Sequence, residues 1–410
     1  MPTKLDSTFF KNNRKNLINL NLKNYPIVLV SNGLIQSSGE IHYPFKQDAS
    51  FWYLTGLNLP DLILVIDEDQ EYIIAHSKNK TREIFEGKIE FDLIRNTSGI
   101  EKIYNEKEGW QKLLQLIEKN KRIATLPIPP KYIDYFGFYT NPAKQILFEK
   151  LKYKYPKLKF VDISKDMIKL RSIKQPVEIN LIQKAIDLTT ESLEKVIKNI
   201  KANKYDFEYQ IEAELFKSIR SQGLKRFAYD PIIASGKNAC IIHYSSNESK
   251  LNKSQLLLID VGAEVDNYSA DITRTISISK KPNQRQLQVF NAVIEIQQFA
   301  FSILKPGVII KEYETQIENF VHDKLAKLNL IKSKNKKQIR KYYPHLTSHF
   351  LGLNVHDVGE YSKPLKENMV LTVEPGIYIN EEGIGIRIED DVLITKNGYK
   401  ILSQNLPKTL

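Results

Sequence analysis

Short apolar runs of strand length and amphipathic helical segments share the first part of the chain. The runs cover residues 27–30, 62–66 and 72–75, and helical periodicity covers residues 109–120. This mixture predicts a smaller N-terminal α/β domain over residues 1–165.

The second part of the chain, residues 166–410, begins with a long amphipathic segment. Pro176 suits the first turn of a helix, and the apolar period then runs to about Lys201. The same reasoning predicts further helices at 206–222, 283–304 and 310–328, and strands at 228–234, 239–244 and 370–373. The fold class is therefore α/β in the α+β sense, with two domains.

A continuous apolar run, Leu256–Ile259, leads directly into Asp260, and Asp271 follows eleven residues later. If the hairpin folds about Val265–Asp266, Asp260 faces Asp271 across two antiparallel strands. Facing carboxylates repel, so they require a proton, a cationic side chain or a metal ion. From these residues alone the alternative stays open that one aspartate faces solvent or caps a turn.

Three of the seven histidines, His345, His349 and His356, fall within twelve residues of one another. Apolar residues separate them, which indicates a partly buried setting. Histidine provides a metal-binding nitrogen or a proton carrier near neutral pH. A single buried histidine is more often an ordinary core residue, but three together favour a site.

Two further acidic positions occur at strand ends. Glu374 precedes Pro375, which holds its backbone extended. In residues 384–392, alternation places isoleucines on one face and charged residues on the other. The isoleucines are Ile384, Ile386 and Ile388, and the charged residues are Arg387, Glu389 and Asp391. A strand with an ordinary charged solvent face is the alternative interpretation.

Together these positions form an oxygen-rich set with one nitrogen. Such a set fits hard or borderline divalent ions, Mn²⁺ first, with Co²⁺ or Zn²⁺ as alternatives. Four carboxylates and one imidazole exceed the needs of one catalytic ion with open positions. They suit two ions about 3.5–4 Å apart.

Composition excludes several other classes. The 410 residues are 42% hydrophobic and 26% charged, with a net charge of +12. The basic residues are scattered, and their densest run, 332–340, is predicted to be a solvated loop, so no nucleic-acid partner is expected. The single cysteine, the lack of a secretory apolar segment and the lack of a membrane span predict a cytoplasmic location.

Five segments, taken in order, resemble one family. The strings LLLIDVGAE, SADITRT, SHFLGLNVHDVG, EPGIYI and GIRIEDD are similar to those of Xaa-Pro aminopeptidase (aminopeptidase P), a pita-bread dinuclear metallopeptidase. The string YPFKQDASFWYLTGLNLPDLILVI resembles the family's N-terminal domain. The resemblance implies a pita-bread catalytic domain over residues 166–410 and covers nearly the whole chain.

The resemblance also implies the roles of individual residues. The implied metal ligands are Asp260, Asp271, His349, Glu374 and Glu389. The implied catalytic residues are Glu374, His243, His345, His356, Arg387 and Tyr378, with Tyr229 and Arg387 ordering Asp260. By the same resemblance, the protein releases the N-terminal residue of peptides with proline in second position, by attack of a metal-bridging hydroxide. A homo-oligomer, dimer or tetramer, is expected.

Two alternatives remain at this stage. A prolidase would use the same chemistry on Xaa-Pro dipeptides only. A catalytically silent relative would use the fold to bind a peptide or nucleic acid, although all five implied ligands are present in this chain.

Overall fold

The computed structural model describes residues 5–20, 25–68, 70–76, 80–128, 136–278, 281–333 and 335–410. The chain forms two compact units, which divide between Arg171 and Ser172.

The first unit contains a six-stranded mixed sheet. Its main strands, in sheet order, are β6 (Lys102–Asn105), β5 (Glu71–Ala75), β4 (Leu62–Ile66), β1 (Ile27–Val30), β7 (Arg122–Thr125) and β8 (Lys159–Asp162). A small hairpin of β2 (Gln36–Ser38) and β3 (Ile41–His42) lies outside it. The buried strands β1 and β4 pair antiparallel, and their apolar residues join the core of this unit.

Helices complete the first unit. They are α1 (Ser7–Asn19), α2 (Ala49–Thr55), α3 (Lys80–Glu86), α4 (Phe91–Ser98), α5 (Glu106–Asn120), α6 (Ala143–Lys154) and α7 (Ser164–Ser172). Helix α5 begins three residues before the predicted start, because the Asn105 side chain caps it by accepting from the Glu108 N–H. The three predicted strands are confirmed to within one residue.

The second unit begins with its longest helix. Helix α8 (Pro176–Lys201) has the predicted bounds, and a capping box between Gln175 and Glu178 fixes its first turn. The other helices are α9 (Glu208–Ser221), α10 (Gln284–Ile303), α11 (Ile310–Lys327) and α12 (Lys336–Tyr342). None of the helices in the described part of the chain is long and apolar enough to cross a membrane.

Small antiparallel sheets make up the rest of this unit. Their strands are β9 (Ile232–Ser235), β10 (Leu256–Val261), β11 (Glu264–Val265), β12 (Tyr268–Ser269), β13 (Ile272–Ser277), β14 (Val370–Val373), β15 (Gly376–Ile379), β16 (Ile384–Arg387), β17 (Asp390–Thr395) and β18 (Gly398–Ile401). The sheets have the orders β13-β10-β9, β11-β12, β14-β17-β18 and β15-β16. Buried residues of α10, α11 and the C-terminal strands form one hydrophobic core.

The predicted register of the central hairpin is wrong. Asp260 pairs with Thr273, and Asp271 lies just before strand β13. The reason is a tight turn at Asp266 and Asn267, both with positive φ, which closes the separate short ladder β11–β12. The short ladder and the long pair β10–β13 share one register, so moving the turn one residue beyond its predicted position pairs Asp260 with Thr273 and not with Asp271.

Three other sequence predictions need correction. The strand predicted at 228–234 starts only at Ile232, and residues 236–240 form a 3₁₀ turn where the strand 239–244 was predicted. The predicted solvated loop over 332–340 contains the start of helix α12, whose Arg340 pairs with Glu318 at 2.5 Å.

The alternating segment 384–392 is not one strand. Strand β16 pairs with β15, whereas β17 pairs with β14, and the chain changes sheets at residues 388–389. At the crossing, the Ile388 N–H donates to Pro375 O and the Glu389 N–H donates to Thr273 O. The charged face is buried, contrary to the solvent-facing alternative, with Arg387 3% and Glu389 1% exposed.

Candidate metal centre

One tyrosine hydroxyl joins the two predicted aspartates. The Tyr229 hydroxyl lies 2.5 Å from Asp260 Oδ1 and 2.6 Å from Asp271 Oδ1. A hydroxyl has one proton, so it donates to one carboxylate at a time. Both aspartates are buried. Two buried carboxylates are therefore close together, as the sequence indicated, but they meet at the Tyr229 hydroxyl and not at facing strand positions.

His349 lies between two carboxylates. Its Nε2 is 3.4 Å from Asp271 Oδ2 and 3.3 Å from Glu374 Oε1. The Thr372 N–H donates to His349 O, and the Glu374 N–H donates to Thr347 O. These backbone bonds fix the segment before His349 against strand β14, and they hold both side chains at one strand end.

Glu389 completes a compact donor group. Ligand atoms of Asp271, His349 and Glu389 all lie within 4.8 Å of one another, a separation that would allow them to hold one metal ion. The Thr273 hydroxyl donates to Glu389 Oε2 at 2.6 Å. Glu374 adjoins this group through His349.

Arg387 connects Asp260 to two other predicted residues, Tyr378 and His345. Its guanidinium donates to Asp260 Oδ2 at 2.5 Å and to the Tyr378 hydroxyl at 2.8 Å. The same hydroxyl lies 2.7 Å from His345 Nε2, and His345 Nδ1 is 3.7 Å from Glu374 Oε2. Hydrogen bonds therefore connect Asp260 to His345, and Glu374 lies beside the end of this series without a hydrogen bond to it.

Most of the predicted residues line one cavity of about 380 Å³. Those on its wall are Tyr229, His243, Asp260, Asp271, His349, His356, Glu374, Arg387 and Glu389. His345 and Tyr378 are not on the wall and adjoin it through Glu374 and Arg387. A larger cavity of about 750 Å³, bordered by α11 and α12, includes none of the predicted residues. The smaller cavity is the candidate site, because the metal-type donors converge there.

The buried carboxyl groups raise one another's pKa. Burial raises the pKa of Glu389 well above its usual range, and Asp271, Glu374 and Asp260 add to the effect. Burial also raises the pKa of Asp260, which Arg387 opposes and Asp271 reinforces. Without a bound cation, ionising all of these carboxyl groups at once is therefore energetically unfavourable.

His349 responds in the opposite sense. Burial lowers the pKa of an imidazole, but the carboxylates of Asp271 and Glu374 raise the pKa of His349 well above its usual value. Burial disfavours ionised Glu374, yet the hydrogen bond to His349 and nearby positive charge bring its pKa down to about 2. The chain by itself therefore places positive charge between these two carboxylates.

This donor set fits divalent cations. Among the described residues that line the cavity, five carry carboxyl groups and Arg387 supplies the guanidinium. The five are Asp230, Asp260, Asp271, Glu374 and Glu389. Hard or borderline cations accept carboxylate oxygen and one imidazole nitrogen, and they relieve the repulsion that raises the carboxyl pKa values.

Sequence reasoning missed several contributors. Asp391 Oδ2 accepts the Asp271 N–H at 3.0 Å and so holds the strand that carries this aspartate. Its place on the charged face of residues 384–392 suggested a role near the site, but its partner Asp271 lies 120 residues away in the sequence and could not be identified from the pattern. The apolar wall residues Ile232, Ile242 and Val355 gave no signal, because apolar residues look alike in a core and in a cavity.

Comparisons with known proteins agree with this geometry. Residues 180–396 match metallopeptidase family M24, and residues 10–124 match the aminopeptidase P N-terminal domain. The Xaa-Pro aminopeptidase of Haemophilus influenzae is 31% identical over 99% of this chain and 96% of its own length.

Solved structures give the same result. Aminopeptidase P from Escherichia coli with the inhibitor Pro-Leu superposes with a TM-score of 0.87 at 28% identity, over 99% of this chain and 96% of that one. The zinc-substituted form of the E. coli enzyme with product gives a TM-score of 0.86 at the same identity and coverage. The α/β N-terminal domain and pita-bread catalytic domain expected from the sequence are confirmed. This chain therefore belongs to the aminopeptidase P group of metallopeptidase family M24.

Proposed function

We propose that this protein is an Xaa-Pro aminopeptidase that works with two divalent ions, Mn²⁺ in preference to Co²⁺ or Zn²⁺. It removes the N-terminal residue from peptides with proline in second position. The observation that carries this proposal is the convergence of acidic and histidine donors on one cavity in a chain of this family. Mn²⁺ is favoured because the set has four carboxylates and a single nitrogen.

Asp260, Asp271, His349, Glu374 and Glu389 would hold the ions. Ions bound there would supply Lewis-acid chemistry, which activates water and polarises the scissile carbonyl. The chain contributes the preset geometry: Tyr229 and Arg387 orient Asp260, and Thr273 orients Glu389.

In this proposal Glu374 accepts a proton from the attacking water and then donates it to the leaving proline nitrogen. Burial raises its pKa, but the hydrogen bond to His349 and nearby positive charge lower it to about 2, so the carboxyl is ionised near pH 7, as a proton acceptor must be. His345 adjoins the other oxygen of Glu374 and is hydrogen-bonded to Tyr378, which Arg387 holds. In this proposal Tyr378, His345 and Arg387 stabilise charge on the reacting oxygen. The Nδ1 of His345 donates to Leu346 O at 2.8 Å, so it is not free to accept a proton from Glu374.

His356 and His243 also border the cavity. Burial and the neighbouring His349 lower the pKa of His356 to about 4, so its imidazole is neutral near pH 7. A neutral imidazole can donate one N–H to a substrate carbonyl without adding charge. Ile232, Ile242 and Val355 supply an apolar wall for the proline ring, which has no N–H to recognise.

Aminopeptidase activity is preferred over the prolidase alternative. The similar proteins are named Xaa-Pro aminopeptidase and aminopeptidase P. All predicted ligands lie at or beside one cavity, which weighs against a catalytically silent relative. The dimer or tetramer and the cytoplasmic location remain predictions.

The test is metal analysis of the purified protein together with peptide hydrolysis. We expect about two ions per chain after incubation with Mn²⁺, and faster cleavage of Xaa-Pro-Yaa-Zaa than of the dipeptide Xaa-Pro. Xaa-Ala-Yaa-Zaa is the matched control and should be cleaved poorly. Rapid dipeptide hydrolysis with slow tetrapeptide hydrolysis would identify a prolidase. A salt-sensitive RNA complex with no hydrolysis would support the silent relative.

A further inference from the structure

A short loop joins two of the site histidines. His349 and His356 are in edge-to-face contact, with ring centroids 4.3 Å apart. The chain between them, residues 350–355, leaves strand-like pairing and returns so that His356 faces the cavity. The position of His356 therefore depends on whatever fixes this loop.

A buried ion pair lies at the end of the loop. Lys174 Nζ is 3.3 Å from Asp357 Oδ2, and both side chains are only 1% exposed. The two residues are 183 positions apart in the sequence. The Lys174 N–H also donates to Asn368 O at 2.8 Å, which holds the lysine backbone in place.

Backbone hydrogen bonds close the loop onto the same point. The Asp357 N–H donates to Phe350 O at 2.8 Å, and the Gly352 N–H donates to Asn354 O at 3.1 Å. The Ser269 N–H donates to Gly352 O at 2.9 Å, two residues before the predicted ligand Asp271. The loop is therefore attached both to the ion pair and to strand β12, which leads to Asp271.

Gly352 is required for the ion pair to form. A Cβ at this position would lie 2.2 Å from Asp357 Oδ2 and 3.0 Å from Lys174 Nζ. Non-bonded atoms do not approach as closely as 2.2 Å, so any side chain at this position must displace the Asp357 carboxylate. This glycine gives a way to disturb the pair while both charges remain.

A buried ion pair of this kind contributes little net stability, because desolvation offsets much of the attraction. Its value is geometric, since two buried charges have few alternative positions. We propose that Lys174 and Asp357 are positioning residues whose ion pair fixes the loop 350–357, so that His356 faces the substrate cavity. This inference rests on the proposed function, because it assumes that His356 contacts substrate.

The test uses Lys174→Met and Gly352→Ala, which break the same pair by different means. The controls are Lys195→Met, which removes an exposed lysine from the same region, and Gly398→Ala, where a Cβ meets no atom within 4 Å. Each variant is measured for kcat, KM, bound metal and amide hydrogen exchange of residues 350–358.

We expect kcat to fall by about 10²-fold in both test variants, as is typical of a misplaced catalytic group, with metal content unchanged. Amide exchange should rise at least about tenfold in residues 350–358 and stay unchanged in α10. The controls should match the wild type in all four measurements.

Unchanged kcat and exchange in both test variants would overturn the inference. Loss of metal, or exchange that rises throughout the unit in Gly352→Ala, where both charges remain, would also overturn it, since the pair would then serve folding in general. If either variant fails to fold, the other decides. If the wild-type protein proves not to cleave Xaa-Pro peptides, the proposed function fails, but the exchange measurement still tests the role of the ion pair.

Discussion

Glu178 offers a quantitative test of how burial controls the stability of the second unit. Its side chain is 1% exposed, and its carboxyl accepts hydrogen bonds from the Gln175 N–H and the Tyr268 hydroxyl, each at 2.8 Å. Burial raises its pKa from 4.5 to about 7; the bonds from Gln175 and Tyr268 and the charge of Lys174 oppose this, and Asp357 adds to it. We predict that Glu178→Gln removes a pH-dependent loss of stability.

The sign follows from the raised pKa. Below pH 4.5 the carboxyl is protonated in both the native and the unfolded chain, so it has no effect on stability. Between pH 4.5 and about 7 the unfolded chain releases this proton while the native chain keeps it, so stability falls as pH rises. Above that range the penalty is constant at about 3.5 kcal/mol, since the native and unfolded pKa values differ by roughly 2.5 and each whole step of pKa corresponds to about 1.4 kcal/mol.

The assay is urea unfolding of wild type and Glu178→Gln from about pH 4 to about pH 8 in a chelating buffer, so that ion binding does not contribute. Far-UV circular dichroism follows the helices. Both tryptophans, Trp52 and Trp110, lie in the first unit, so their emission in the same samples reports that unit. Glu191→Gln, exposed on the same helix α8, is the matched control for lost charge.

Glutamine retains one acceptor oxygen but places an amino group in the pocket, which adds a cost that does not vary with pH. The informative quantity is therefore the change with pH in the stability difference between variant and wild type. It should grow by about 3.5 kcal/mol from the acid to the neutral end of the pH range. A difference that stays within about 0.5 kcal/mol would mean that native Glu178 ionises normally, and the argument from burial would be wrong.

Three further predictions concern the site and its supporting backbone. Asp271→Asn should abolish hydrolysis and lower bound metal with the circular dichroism unchanged; near-normal turnover would contradict a role in holding ions. His356→Ala should retain metal and lose at least about 10²-fold in kcat/KM, and a metal-free product would mean that it is a ligand instead. Gly262→Ala should lose at least about 2 kcal/mol in urea unfolding, because a Cβ there would lie 1.8 Å from Ala270 O, whereas Gly398→Ala should change stability by less than about 0.5 kcal/mol.

Local pattern was enough to define many of the elements. Strand β4 (Leu62–Ile66) and helix α8 (Pro176–Lys201) have the predicted bounds. Each depends on interactions within a few residues: apolar run length for the strand, and a proline start, a capping box and a 3.6-residue period for the helix. The motifs around Asp260, Glu374 and Glu389 likewise identified the family from short strings.

Turn position and long-range contacts decided what the pattern could not. The pairing of Asp260 with Thr273 follows from the turn at Asp266–Asn267, which alternation alone does not locate. Two separate sheets divide the charged segment after Ile384, because its neighbours β14 and β15 come from elsewhere in the chain.

The sequence by itself determined the family and most of the element types, and it predicted the donor residues, because periodicity and short motifs are local properties. Only the tertiary structure decided that Tyr229 joins Asp260 to Asp271, and that Lys174 pairs with Asp357 across 183 residues. The physical reason is that a buried polar group must find its partner wherever the fold brings one, and sequence separation does not limit that choice.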